Sequence, residues 1–186
     1  MLNKQEFNKI KEDLAKFDEE REVGITKSRE IIRISKLIIN SLHRNNIKDA
    51  ELHIKEIKDR IKKLPKQNTE MSFVDVALQE YAEALLYYHF IIEKKIPTRK
   101  DLDIDTENYL LGMCDLTGEL VRKAVNSAIN KKYDEVMAIR ELVTEIYAAF
   151  LEFNLRNNEL RKKMDSIKYN LMKLENLVYE IKLKTN

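Results

Sequence analysis

Residues that interrupt regular structure are nearly missing from this chain. Its 186 residues include three glycines and two prolines, far below ordinary usage. Long helices are the natural outcome, because Gly costs about 1 kcal/mol and Pro about 3 kcal/mol relative to Ala inside a helix. Cys114 is the one cysteine. No intrachain disulfide can form, which suits a reducing cytoplasm. No run of about 18 apolar residues exists, so no membrane-spanning helix is expected. The N-terminus, Met1-Leu2-Asn3-Lys4-Gln5-Glu6-Phe7, is charged and amphipathic rather than a signal peptide. A large excess of one charge is lacking too. The formal net charge is +2, so any nucleic-acid footprint must be local.

What is present suits a helical bundle. Charged residues make up 35% and hydrophobic residues 44%, enough for a soluble chain with a substantial core. The expected architecture is all-α: one domain over residues 1–186, built from six or seven antiparallel helices. The first helix runs from about Lys4 to Asn45, with Gly24 as a place for a bend. The second covers Lys48 to Leu64 and stops at Pro65. Gln67-Asn68-Thr69 reads as a polar loop, and Ser72 caps a third helix reaching Lys95, with Asp75 as its box-like partner. Pro97 to Asp103 is the longest loop. Asp105 or Thr106 caps a fourth helix reaching Asn130. A fifth covers Lys132 to Asn157 and a sixth Asn158 to Lys184. In the last, Leu160, Met164, Ile167, Leu171, Leu174, Val178 and Ile181 alternate in steps of four and three. That heptad seam fits packing inside a bundle or between chains.

The third helix carries two carboxylates on the wrong side. Stepped at 100° per residue, Phe73, Val76, Ala77, Ala84, Tyr87 and Ile91 fall within about 60° of Glu80. Glu83 lies beside it, one turn on. The polar arc is elsewhere, at Asp75, Gln79, His89 and Glu93. Like charges on an apolar face are costly unless a cation or donor compensates them.

The fourth helix carries a second pair. Asp115 and Glu119 share a stripe with Asn108, Arg122 and Asn126, opposite Tyr109, Leu110, Met113, Cys114, Leu120, Val121 and Ala124. Alone, such a stripe is a solvated face. Gly112 and Gly118 argue otherwise, since glycine inside a helix permits close backbone approach. The third helix is the obvious neighbour, so four carboxylates would converge with no histidine among them. An all-oxygen cluster suits Mg²⁺ or Mn²⁺ rather than zinc or copper. The Glu-x-x-His pattern of di-iron bundles is absent. His43, His53 and His89 read as structural or surface residues. Cys114 reads as a small core residue, not a nucleophile.

Between Arg21 and Lys48 lie Arg21, Lys27, Arg29, Arg33, Lys36, Arg44 and Lys48, against Glu22 and Glu30. Arg29, Arg33 and Lys36 form one helical row opposite Ile31, Ile34, Leu37 and Ile38. The row is either a solvated face or a track for a nucleic-acid backbone. Arg161, Lys162 and Lys163 pose the same choice.

These segments resemble the translin family. Gln79-Glu80-Tyr81-Ala82-Glu83-Ala84 is similar to its QExxEA segment. Asn108 to Ser127 resembles its most distinctive block, and Leu155 to Leu183 its C-terminal helix. The string Asp115-Leu116-Thr117-Gly118-Glu119-Leu120 resembles the TRAX branch (translin-associated factor X), whereas the last helix is more like translin. The mixture resembles the archaeal single-component members. The resemblance implies a Mg²⁺-dependent ribonuclease centre on Glu80, Glu83, Asp115 and Glu119, with Mn²⁺ as a substitute. It also implies binding of single-stranded RNA and DNA and a homo-oligomer, a shell-like octamer. The RNA backbone would be held by Arg21, Lys27, Arg29, Arg33 and Lys36, with Arg122 at phosphate or bracing the carboxylates. A glycine-containing segment linked to GTP in translins reads Ala128-Ile129-Asn130-Lys131-Lys132-Tyr133 here, without glycine, so GTP binding is not expected. The alternatives are a non-catalytic single-strand binder, a helical nucleoside triphosphate pyrophosphohydrolase and a structural assembly.

Overall fold

The computed structural model describes residues 2–64, 72–156 and 159–185. Among these the chain is all helix: α1 (Lys4–His43), α2 (Ile47–Ile61), α3 (Ser72–Glu93), α4 (Arg99–Leu102), α5 (Thr106–Ile129), α6 (Tyr133–Leu151) and α7 (Glu159–Thr185). Local chemistry sets most ends. The Asn3 side chain accepts from the Gln5 and Glu6 amides and starts α1, which continues unbroken through Gly24. Asn45 adopts φ 56°, and Asn46 then caps α2 through the Asp49 amide. Asp105 accepts from the Asn108 amide at 3.0 Å and starts α5.

Three boundaries differ from expectation. The segment expected as an open loop holds the single turn α4, because Thr98 and Asp101 cap each other's backbone. Helix α6 stops at Leu151, not Asn157, and Phe153 turns its ring edge-on to Phe150 with centroids 5.4 Å apart. Helix α2 stops at Ile61, not Leu64, whereas Pro65, the loop at Gln67 to Thr69 and the junction at Asn157 and Asn158 lie outside the described residues.

Helix directions also refine the expected antiparallel bundle. Lys27 and Glu30 meet Lys63 and Arg60, so α1 and α2 are antiparallel. However, Lys36 meets Glu80 while His43 meets Tyr87, so α1 and α3 run the same way. The Gln79–Asn108 and Ala82–Gly112 contacts make α3 and α5 parallel as well. Helices α2 and α6 and the segment around α4 carry the chain back between these long helices.

The core lies between them. Ile31, Ile34, Ile38 and Leu42 of α1 are sealed from solvent, as are Leu85, Leu86 and Tyr87 of α3 and Leu116 and Leu120 of α5. Each such aliphatic side chain contributes about 1.5–3 kcal/mol by leaving water. Every residue of the α7 seam is buried, against α5 and α6, so it packs the bundle. The start of α1 is different: Phe7 is 53% and Leu14 60% exposed, and the helix becomes buried only from Gly24 onward.

Candidate metal and nucleic-acid site

Gly112 brings the two acidic helices together. A Cβ there would lie 2.6 Å from Ala82 Cβ, 2.8 Å from the Gln79 carbonyl oxygen and 3.0 Å from the Glu83 nitrogen. Only a glycine lets the backbones of α3 and α5 approach this closely. Asn108 fixes the register one turn earlier. It accepts from Gln79 Nε2 at 3.1 Å and donates to Asp75 at 3.1 Å and Asp105 at 2.8 Å. From that contact, Glu80 and Glu83 project from α3 beside Asp115 and Glu119 of α5.

Glu83 sits at the centre of the charge. Burial pushes its carboxyl up to about 8, and the charges of Asp115, Glu80 and Glu119 push in the same direction, opposed by Lys163. Each of the other three carboxylates already has a partner. Asp115 Oδ2 is 2.5 Å from Lys163 Nζ. Glu80 Oε1 is 3.6 Å from Lys36 Nζ. Glu119 receives His43 Nε2, with Arg122 at 3.7 Å. The His43 bond, followed by the positive charges nearby, holds the Glu119 carboxyl below its ordinary range against the opposing effect of burial. On the far side of the imidazole, Tyr87 Oη lies 3.2 Å from Nδ1. His43 thus bridges Glu119 and Tyr87 through its two ring nitrogens.

These partners draw Glu80 and Glu119 toward α1 and Asp115 toward α7. Among the described residues, no three His, Cys, Asp or Glu side chains are gathered as a ready-made metal cage. The donor set is nevertheless that of a hard cation: four carboxylates, one of them with its carboxyl raised by burial and then by the negative charge around it. Such residues fit Mg²⁺ or Mn²⁺ in kind.

The basic row of α1 leads to this cluster. Arg29 and Arg33 are exposed, and Lys36, one turn further, already touches Glu80. Arg21 lies out along the exposed half of α1, 3.4 Å from Glu22. Lys27 has a structural task instead: its Nζ donates to the Lys63 carbonyl at 2.9 Å at the end of α2. Arg122 stands exposed at the opposite edge of the cluster.

Several side chains depart from the helical wheel. Gln79, placed on the polar arc, is buried by its bond to Asn108. Val76, placed on the apolar face, is 46% exposed. Gly118 permits no close approach; its nearest neighbour is the Asn170 side chain at 3.8 Å. Cys114 is buried, and that burial, followed by the charge of Asp115, pushes its thiol up to about 12, which keeps it an unreactive core residue. His43 and Lys163 were not singled out as site residues. A signal for His43 was present: it lies two turns after Lys36, so it falls on the same side of α1. Lys163 stood out only as part of the Arg161–Lys163 basic cluster; nothing pointed to Asp115, because that partner lies across the fold.

The Translin family matches residues 19–185. This chain belongs to that family. An uncharacterized protein of Methanocaldococcus jannaschii is 34% identical over 167 residues, spanning 86% of this chain and 75% of that one. Translin of Gallus gallus is 37% identical over 81 residues, 44% of this chain and 35% of translin. Translin-associated protein X of Rattus norvegicus is 27% identical over 144 residues, 60% of this chain and 50% of that protein. The match thus spans half or less of those two relatives. The crystal structure of apo-NeC3PO has the same fold, with a TM-score of 0.87 at 28% identity over 96% of this chain and 97% of that one. The AfC3PO–duplex RNA complex likewise superposes with a TM-score of 0.87 over 96% and 97% of the two chains, at 21% identity. Among the described residues, no helix is long and apolar enough to cross a membrane.

Proposed function

We propose that this translin-family chain is a Mg²⁺-dependent endoribonuclease acting on single-stranded RNA. The observation that carries the reading is Glu83, a half-buried carboxylate raised by its burial and by three others from two helices. Glu80, Glu83, Asp115 and Glu119 would hold the ion, with Mn²⁺ as a substitute. When bound, such an ion supplies Lewis acidity and a water of lowered pKa. The chain's own residues do the rest. Arg29 and Arg33, with Arg21 further out, offer their guanidinium groups to backbone phosphates. Lys36 and Arg122 bracket the cluster and screen an incoming phosphodiester from its carboxylates. The Tyr87–His43 pair orients Glu119. Nucleic-acid binding draws support from the family and from the duplex RNA held by AfC3PO, a protein of this fold. The C3PO likeness also supports a homo-oligomer, here proposed as a shell-like octamer in the cytoplasm.

A specific observation favours a second reading, a non-catalytic binder of single-stranded RNA or DNA. Asp115 and Glu119 are already paired with Lys163 and His43, so the cluster is held without a metal. One experiment separates the two. Asp115→Asn and Glu80→Gln should each lower Mg²⁺-dependent cleavage of unstructured RNA by about a hundredfold or more, with RNA affinity nearly unchanged. Full activity in either variant refutes the assignment. A native chain that binds RNA in EDTA with a steep salt dependence, and never cleaves it with Mg²⁺ or Mn²⁺, establishes the second reading.

A further inference from the structure

Lys163 reaches from α7 into the middle of the carboxylate cluster. Its Nζ lies 2.5 Å from Asp115 Oδ2, with the two side chains 27% and 35% exposed. Its charge is the one that opposes the crowding around Glu83. The position is fixed by the fold. Met164 and Ile167 are buried in the α7 seam, and two turns on Asn170 donates to Thr117 at 2.9 Å, locking α7 against α5. A lysine so placed is not a stray surface charge.

We propose that Lys163 is a built-in counter-cation: its ammonium holds Asp115 while no divalent ion is present and leaves when one binds. This rests on the reading of the cluster as a divalent-metal site. An oxygen that ligates Mg²⁺ at about 2.1 Å cannot keep an ammonium at contact without strong repulsion between the two cations. Lysine suits a displaceable role. It is a compact charge on a flexible stem, whereas arginine would grip the carboxylate through two bonds. The exposure of Lys163 leaves its ammonium a path into water. Competition for Asp115 therefore weakens the site's affinity for the ion and lends the empty cluster stability.

The two effects have opposite signs, and Lys163→Met tests them together. All variants are compared at one fixed pH. The metal-free variant should melt below the native chain. Its midpoint should rise further on addition of Mg²⁺, and Mg²⁺ titrated calorimetrically should bind roughly tenfold tighter. Lys163→Arg, which keeps a competing cation, should bind Mg²⁺ no tighter than the native chain. Unchanged or weaker Mg²⁺ binding in Lys163→Met overturns the proposal, since a merely structural lysine would lower stability and affinity alike. If the native chain binds neither Mg²⁺ nor Mn²⁺, or Asp115→Asn leaves binding unaltered, the metal reading fails and the proposal falls with it.

Discussion

Gly112→Ala is expected to destabilise the protein by about 2 kcal/mol, although alanine is the better helix former by about 1 kcal/mol. The added methyl would meet Ala82 Cβ at 2.6 Å, the Gln79 carbonyl oxygen at 2.8 Å and the Glu83 nitrogen at 3.0 Å. The carbonyl and the nitrogen are main-chain atoms of α3, so the clash cannot be relieved by a rotamer change. Helix α3 must move away as a unit, and overpacking of this kind typically costs 1–3 kcal/mol. The same movement carries Glu80 and Glu83 away from Asp115 and Glu119. Any Mg²⁺-dependent cleavage should therefore fall more steeply than the folded fraction. Gly118→Ala is the control: its nearest neighbour is a flexible side chain at 3.8 Å, so it should stabilise α5 by up to about 1 kcal/mol. Urea denaturation of both variants measures the contrast. Equal shifts of the same sign would show that close helix approach at Gly112 carries no energetic weight.

The metal-free protein should lose stability as pH rises from about 4.5 to about 8, because Glu83 is raised from its ordinary 4.5 to about 8. The folded state holds that proton more tightly than the unfolded chain does. Below the unfolded value both states are protonated and no penalty exists; above the folded value both are ionised and the penalty is complete. At about 1.36 kcal/mol per pH unit, the loss is on the order of several kcal/mol. Glu119, held low, acts in the opposite sense, but its contribution is complete once the pH exceeds its unfolded value. The difference in urea midpoint between the native chain and Glu83→Gln from about pH 5.5 to pH 8.5 therefore reads Glu83. Glu83→Gln should flatten this dependence and be more stable than the native chain at the alkaline end. Saturating Mg²⁺ should do the same for the native chain. A profile that stays level without metal would show Glu83 to be compensated in the folded state.

The helices were legible because their signals are local. The cap at Asp105, and seams such as Leu160 to Ile181, need no knowledge of the fold. Glu83 was legible for the same reason, since its face conflicts with the residues around it. Glu80 was only half legible: the wheel placed it in the apolar arc, but a quarter of its side chain stays exposed beside Lys36. What the sequence hid was long-range. The turn at α4 depends on one reciprocal cap. The burial of Gln79 depends on Asn108 of another helix. Lys163 and Asp115 are separated by most of α5, all of α6 and the start of α7, and no periodicity links them. Both interior glycines looked alike in sequence, yet only Gly112 faces α3.

Helix α1 is a cantilever. It is clamped from Gly24 to Leu42 and overhangs the body for about 20 residues, or about 30 Å. No break at Gly24 relieves it. Lys36 and His43, which touch Glu80 and Glu119, belong to the clamped end of this single beam. A load applied at Phe7 or Leu14 is therefore carried along the shaft to the two side chains that hold Glu80 and Glu119.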